Sequence, residues 1–247
     1  MKLGPVAVVP HMQIEVWSDV VCPWCFVGKR RLEAALDTFE HAGDVEVVFR
    51  SFELDPSAPQ HGHELTSVAL ARKLGRSEDE TRQMQQQLID LAASEGLEMR
   101  LHDNVHTNTV DAHRLLHLAR ETGGTALQRQ LAESLFAAYF TRAEDVGDHE
   151  VLTAAAVAVG LDEARVREVL ASQEYAEDFA ADVAQARAYG ATGVPFFVVD
   201  RKYGVSGAQP VEVFGQLLDQ AWSESHPTLQ TVGGDADGAC GPDGCAI

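Results

Sequence analysis

Val21-Cys22-Pro23-Trp24-Cys25-Phe26 marks the point where a strand pattern stops and a helical pattern begins. Upstream, Gln13-Ile14-Glu15-Val16-Trp17 alternates polar and apolar residues with β-branched and aromatic side chains, which is the period of a strand. Downstream, Leu32, Ala35, Leu36 and Phe39 recur at helical spacing among Lys29, Arg30, Arg31 and Asp37. The two cysteines therefore sit on a strand-to-helix turn. Pro23 suits the first helical position, where φ is already set and a missing N–H does no harm, and this makes Cys22 the N-cap. There its sulfur would face free backbone N–H groups and the positive end of the helix dipole, both of which favour thiolate over thiol. Cys22 is accordingly expected to attack, and Cys25, one turn deeper, to resolve the resulting disulfide.

A Cys-x-x-Cys spacing also makes half of many zinc sites. Zinc would need two further ligands, and the only other cysteines, Cys240 and Cys245, are far away and spaced x4. A redox pair is the better reading if the surroundings agree. Near the other end, Thr192-Gly193-Val194-Pro195-Phe196-Phe197-Val198-Val199-Asp200 is an apolar strand introduced by an X-Pro step, where proline is tolerated and can be cis. Together, Cys22-Pro23-Trp24-Cys25 and Gly193-Val194-Pro195-Phe196-Phe197 resemble the thioredoxin superfamily. The stretches Ser18 to Lys29, Asn108-Thr109-Val110-Asp111-Ala112-His113-Arg114-Leu115 and Gly204-Val205-Ser206-Gly207-Ala208-Gln209-Pro210 resemble the FrnE-like branch of the DsbA family.

That resemblance implies an α/β chain with a thioredoxin-like fold and a large all-helical insertion. Residues 13–59 and 191–223 would form the thioredoxin-like part and residues 60–190 the helical insertion, while the Gly- and Asp-rich composition of residues 224–247 reads as a flexible tail. The resemblance implies thiol-disulfide exchange or disulfide isomerisation by Cys22 and Cys25, with protein thiols and disulfides as substrates and a reductase or small thiol as a further partner. Pro195 would be cis and lie against the cysteine pair, with the Val194 backbone pairing to an extended substrate segment and Pro23 and Trp24 at the lip of the site. No bound cofactor and no metal are implied. A rival from the same superfamily is a glutathione-dependent isomerase or kappa-type transferase, in which a hydroxyl at the first motif position activates glutathione; here that position is Cys22. A third reading, of another class, is a cysteine-based metal-binding or holdase module without turnover.

The chain has 247 residues, enough for one large core, and its formal charge of −19 argues against nucleic acid and anionic membranes as partners. Met1 to His11 hold only the short apolar run Val6-Ala7-Val8-Val9, too little for a secretory signal, so a cytoplasmic location is expected. Disulfides in that compartment are usually transient and catalytic.

Between the two thioredoxin-like stretches, helices are expected over 64–74, 78–94 after the capping box at Ser77, 110–121, 126–140, 149–159, 163–170 and 175–188. His102, His106, His113 and His117 would share a face on one continuous helix, but Thr107-Asn108 looks like a helix start, so packing or surface roles are expected for them rather than metal ligation. Asp19 is expected to be a loop residue bonded to backbone amides. In the tail, Gly241-Pro242-Asp243-Gly244 is a turn sequence that would bring Cys240 and Cys245 close enough for a second redox pair.

Overall fold

The structure, a computed structural model, describes residues 12–226. Cys240 and Cys245 lie outside the described residues. Four strands form one sheet in the order β2-β1-β3-β4: β1 (Met12–Ser18), β2 (Val45–Ser51), β3 (Phe196–Val199) and β4 (Tyr203–Ser206). β1 runs parallel to β2 and antiparallel to β3, and β3 pairs antiparallel with β4. Helix α1 (Pro23–Thr38) makes the crossover between the parallel strands, as a parallel pair requires. This is a thioredoxin-like sheet. The helical insertion enters between β2 and β3 as α2 (Thr66–Leu74), α3 (Glu78–Ser94), α4 (Val110–Phe136), α5 (His149–Ala158), α6 (Glu163–Leu170) and α7 (Ala176–Ala188). The chain then closes with α8 (Val211–Ser225), which packs on α1.

Helix ends follow local chemistry. Ser77 caps α3 by accepting from the Glu80 N–H while Glu80 reaches back to the Ser77 N–H, the reciprocal arrangement read from the sequence. Asp148 and Asp162 cap α5 and α6 more simply, each accepting one backbone N–H, from Glu150 and Arg165. The expected helices 110–121 and 126–140 are joined differently. They run on as α4 across a break at Gly123-Gly124, where Gly124 takes φ +69° and ψ −169°, values open to glycine and strained for other residues. The last part of the second expected helix is a π-helical turn, Ala137–Thr141.

One apolar cluster spans both parts of the chain: Ile14, Val16 and Phe26 from the sheet side are continuous with Leu115, Phe136 and Phe140 of the insertion. Phe26 stacks on Phe136 at 5.0 Å, so the helix that carries the cysteines is held directly by the insertion. A second, polar connection lies behind the sheet. Asp182 of α7 accepts from the Ser51 N–H at 3.0 Å and from Arg50 at 3.2 Å, and its carboxylate lies 3.3 Å from His117 Nε2. Ser51 Oγ also meets His117 Nε2, at 3.1 Å, and Trp17 Nε1 donates to the Asp182 carbonyl. His117 faces serine and aspartate through the same nitrogen, so the group fastens α4 and α7 to β2 rather than activating the hydroxyl.

Burial works to raise the Asp182 carboxyl, but its hydrogen bond to His117, the Ser51 N–H and the Arg50 charge outweigh it and hold the group below its ordinary value. Asp182→Ala removes one member of this buried charged network and should lower unfolding stability near neutral pH by about 3 kcal/mol. A depressed carboxyl contributes above its unfolded value of about 4, and the contribution disappears as pH falls through the folded value. Urea unfolding should therefore show a wide gap between wild type and variant near neutrality and a narrower one in acid.

Candidate active site

Cys22 is the N-cap of α1, with extended backbone angles, and Pro23 stands at the first helical position. The Cys22 carbonyl accepts from the Cys25 N–H at 3.0 Å, which winds the first turn and puts both sulfurs on one end of the helix. Both cysteines are free thiols and both are buried. The sulfur of Cys22 differs from expectation in its partner. It makes no capping bond to the N–H groups of α1 and instead donates across the site to the Val194 carbonyl, at 3.6 Å. The Val194-Pro195 peptide is cis. Pro195 is buried, and its carbonyl accepts from the Gly207 N–H at 2.8 Å, so the loop before β3 is fixed from behind by the loop after β4.

Gly28 lets these pieces meet. A Cβ there would stand 3.0 Å from Pro195 Cγ and 3.2 Å from the Phe197 ring, tighter than ordinary packing allows. Glycine at this turn of α1 thus brings the cysteine helix against the proline loop. Around them, Trp24 is 42% exposed, the largest apolar side chain left open beside the cysteines, while Pro23 and Val194 are half-buried. The structure therefore gathers Cys22, Cys25, Pro23, Trp24, Val194 and Pro195 at one place.

The two thiols have different surroundings. Burial pushes the Cys25 thiol well up, and the neighbouring Cys22 sulfur adds to this through both hydrogen bonding and charge. The Ser18 hydroxyl and the Asp19 backbone act in the other direction and fall short. Cys25 is held as a thiol.

Asp19 does bond a backbone amide, as a loop aspartate should, accepting from the Leu54 N–H at 2.8 Å. Its other oxygen was not read from the sequence: it faces His113 Nε2 at 3.5 Å in the interior. Asp19 and His113 fall in two separate stretches that resemble the DsbA family, and no local pattern joins them. The remaining histidines go to separate partners, His102 to Gln85 and Gln86, His106 to Asp55 and His117 to Ser51 and Asp182. Among the described residues no group of three or more His, Cys, Asp or Glu could hold a metal ion.

Residues 13–219 match the family described as DSBA-like thioredoxin domain. The chain belongs to that family. Its members are thiol-disulfide oxidoreductases. A "probable DsbA oxidoreductase" of Streptomyces coelicolor has a solved structure that is 47% identical, with 96% of this chain and 99% of that one covered and a TM-score of 0.82. The uncharacterized protein YwbO of Bacillus subtilis is 30% identical over 84% of this chain and 96% of its own length. The cytosolic disulfide reductase DsbM of Pseudomonas aeruginosa, solved with GSH, shares the fold at a TM-score of 0.59 and 16% identity, over 85% of this chain and 98% of that one.

In this DsbA-like site the chemical asymmetry of the thiols can be read directly. Iodoacetamide at about neutral pH should label Cys22 at least about tenfold faster than Cys25, which burial keeps protonated, and peptide mass spectrometry at short times distinguishes the two.

Proposed function

We propose that this DsbA-like oxidoreductase exchanges disulfides with protein substrates through Cys22, with Cys25 resolving. The observation that carries the reading is the Cys22 sulfur lying 3.6 Å from the Val194 carbonyl at the cis Val194-Pro195 step, with a second free thiol one helical turn away. In the reducing direction the Cys22 thiolate attacks one sulfur of a substrate disulfide, the substrate S–S bond breaks, and one substrate sulfur leaves as a thiolate. Cys25 then attacks Cys22, the mixed disulfide breaks, and the second substrate sulfur leaves. Two electrons pass from the Cys22-Cys25 dithiol to the substrate, and the reverse sequence oxidises a substrate dithiol. An extended substrate segment would lie along the Val194 backbone, with Trp24 and Pro23 contributing apolar surface beside the reacting sulfurs.

Disulfide isomerisation uses the same first step and is included in the proposal, as are the FrnE-like branch and a cytoplasmic location. No helix among the described residues is long and apolar enough to cross a membrane. A small thiol is a natural second partner, since the DsbM relative is solved with GSH. The glutathione-transferase rival needs a hydroxyl where this chain has Cys22. The tail pair Cys240 and Cys245 is proposed, on sequence grounds, as a second redox couple that exchanges with Cys22.

Reduction of an insulin disulfide tests the central reading. Cys22→Ser should lose at least about a hundredfold in rate, whereas Cys25→Ser should attack normally and accumulate a mixed disulfide visible as a mass adduct on Cys22. Insulin reduction at the wild-type rate by Cys22→Ser would overturn the assignment. In the Cys25→Ser protein, a cross-linked peptide joining Cys22 to Cys240 or Cys245 within one chain is the result expected for a coupled tail.

A further inference from the structure

Three consecutive cations on α1, Lys29, Arg30 and Arg31, follow the cysteine turn, and the exchange chemistry above uses none of them. Lys29 and Arg30 both reach Glu33 on their own helix and Glu133 of α4, closing one side of the insertion against α1. Arg31 has different partners. Its Nε and Nη2 both meet Glu95 Oε1, at 2.7 and 2.6 Å, and its Nη1 donates to the Ala208 carbonyl at 2.7 Å. Glu95 is the C-cap of α3, and the chain enters the main core again just after it, at Leu97. Ala208 belongs to the loop between β4 and α8. One guanidinium therefore joins the insertion to the loop that stands behind Pro195.

Loop 207–209 leans on that contact. Gln209 turns its N–H to the Gly207 carbonyl and its Nε2 to the Ser206 carbonyl, bonds that stay inside the turn. Among the described residues its hydrogen bonds to other elements are two: the Gly207 N–H donates to the Pro195 carbonyl at 2.8 Å, and the Ala208 carbonyl accepts from Arg31. Ala208 Cβ also stands 3.4 Å from where a Cβ on Gly28 would lie, so loop, proline and α1 share one small space. A displacement of the loop is passed to Pro195, and from there to the Val194 carbonyl beside Cys22. Arginine suits this position because its planar fork presents two donors to Glu95 and a third to Ala208 from one rigid group, which a lysine ammonium does not. The side chains of Arg31 and Glu95 are 16% and 23% exposed, so the ion pair is partly shielded from salt and water.

We propose that Arg31 is a positioning residue for the exchange: braced by Glu95, it sets loop 207–209 and through it the Val194-Pro195 edge on which an extended substrate segment is received. This rests on the exchange chemistry proposed above. Arg31 takes no proton and no electron in that reaction. It acts on the backbone that orients a substrate disulfide for attack by Cys22. Misplacing that backbone weakens the binding of a segment that pairs with it, whereas a small disulfide with no segment to pair is attacked as before. The insertion thereby reaches the site by two routes, the packing of Phe136 on Phe26 and the Glu95-Arg31 brace.

Single-turnover reduction of two disulfides by the reduced full-length protein, carrying Cys240→Ser and Cys245→Ser, tests the brace. One is a fluorescently quenched peptide with its disulfide in an extended segment, the other 5,5′-dithiobis(2-nitrobenzoate). With the peptide, Arg31→Gln should raise the concentration that gives half the maximal rate about tenfold and change the maximal rate by less than about threefold. The rate with the small disulfide should stay within about threefold of the parent. Arg31→Lys keeps the charge and loses the fork, and should match Arg31→Gln. Glu95→Gln keeps an oxygen for the guanidinium and should stay near the parent, whereas Glu95→Ala should raise the half-saturating peptide concentration about fivefold. These two variants leave Arg31 in place and decide the matter if its own substitutions do not fold. An unchanged half-saturation in Arg31→Gln, full recovery in Arg31→Lys, equal slowing with both disulfides, or no difference between Glu95→Gln and Glu95→Ala overturns the positioning role. A parent protein that leaves the peptide disulfide intact would instead overturn the exchange chemistry itself.

Discussion

Antiparallel pairing of β1 with β3 is the constraint on which the site depends. Trp17 lies opposite Phe196 and Val16 opposite Phe197, so the end of β1 that leads into Cys22 is locked beside the start of β3, which follows Pro195. Register in a buried sheet is firmly specified, because a slip of one residue would swap Val16 and Phe197, in the main core, with Trp17 and Phe196, which pack in a second cluster on the other face. Cys22 and Val194 are 172 positions apart in sequence and reach hydrogen-bond distance only through this pairing. The close approach at Gly28 then fixes the third dimension, the distance between the cysteine helix and the proline loop.

A long helical insertion between paired strands could loosen that register, since loop closure across it costs entropy. Here the insertion supports the register. Phe136 and Phe140 stack against Phe26 at the root of α1, and Asp182 reaches back to Ser51, Arg50 and the indole of Trp17 by way of its carbonyl. Trp17 is therefore held from both sides, by Phe196 through the ladder and by α7 through its nitrogen. Within the insertion, Arg114 of α4 donates to the carbonyls of Val169 and Ser172 at the C-terminal end of α6, where the helix dipole favours a cation. Apolar ties thus run from the insertion to the helix that carries the cysteines, and polar ties to β1 and β2.

Those features legible in the sequence were local ones. The alternation of Gln13 to Trp17, the Pro23 start of α1 and the Ser77-Glu80 box each encode their element within a few residues, and the structure agrees with all three. Gly123-Gly124 was legible as a break but not as a joint, because two glycines show where a helix must leave its dihedrals and not whether the segments stay in line. What stayed hidden were partners distant in sequence. Nothing near Cys22 announced that its sulfur would turn to the Val194 carbonyl rather than to the helix N–H groups, and nothing near His113 announced a carboxylate on the other side of the core. The bonding of a buried polar atom is decided by tertiary packing, to which a one-dimensional pattern is blind.

The burial of both sulfurs sets the character of the chemistry. Cys22 is 4% exposed and Cys25 2%, with Trp24 exposed beside them, so on the proposed chemistry a substrate disulfide would present its sulfur from a narrow segment. The surface elsewhere carries a strong net negative charge, −19 over the chain, which discourages close approach of acidic partners at low salt. The same charge attracts basic partners, and beside the cysteines the exposed Trp24 offers apolar contact. On the exchange chemistry proposed above, such a site would discriminate by the accessibility of the substrate's cysteines, a condition that extended, incompletely folded chains would meet.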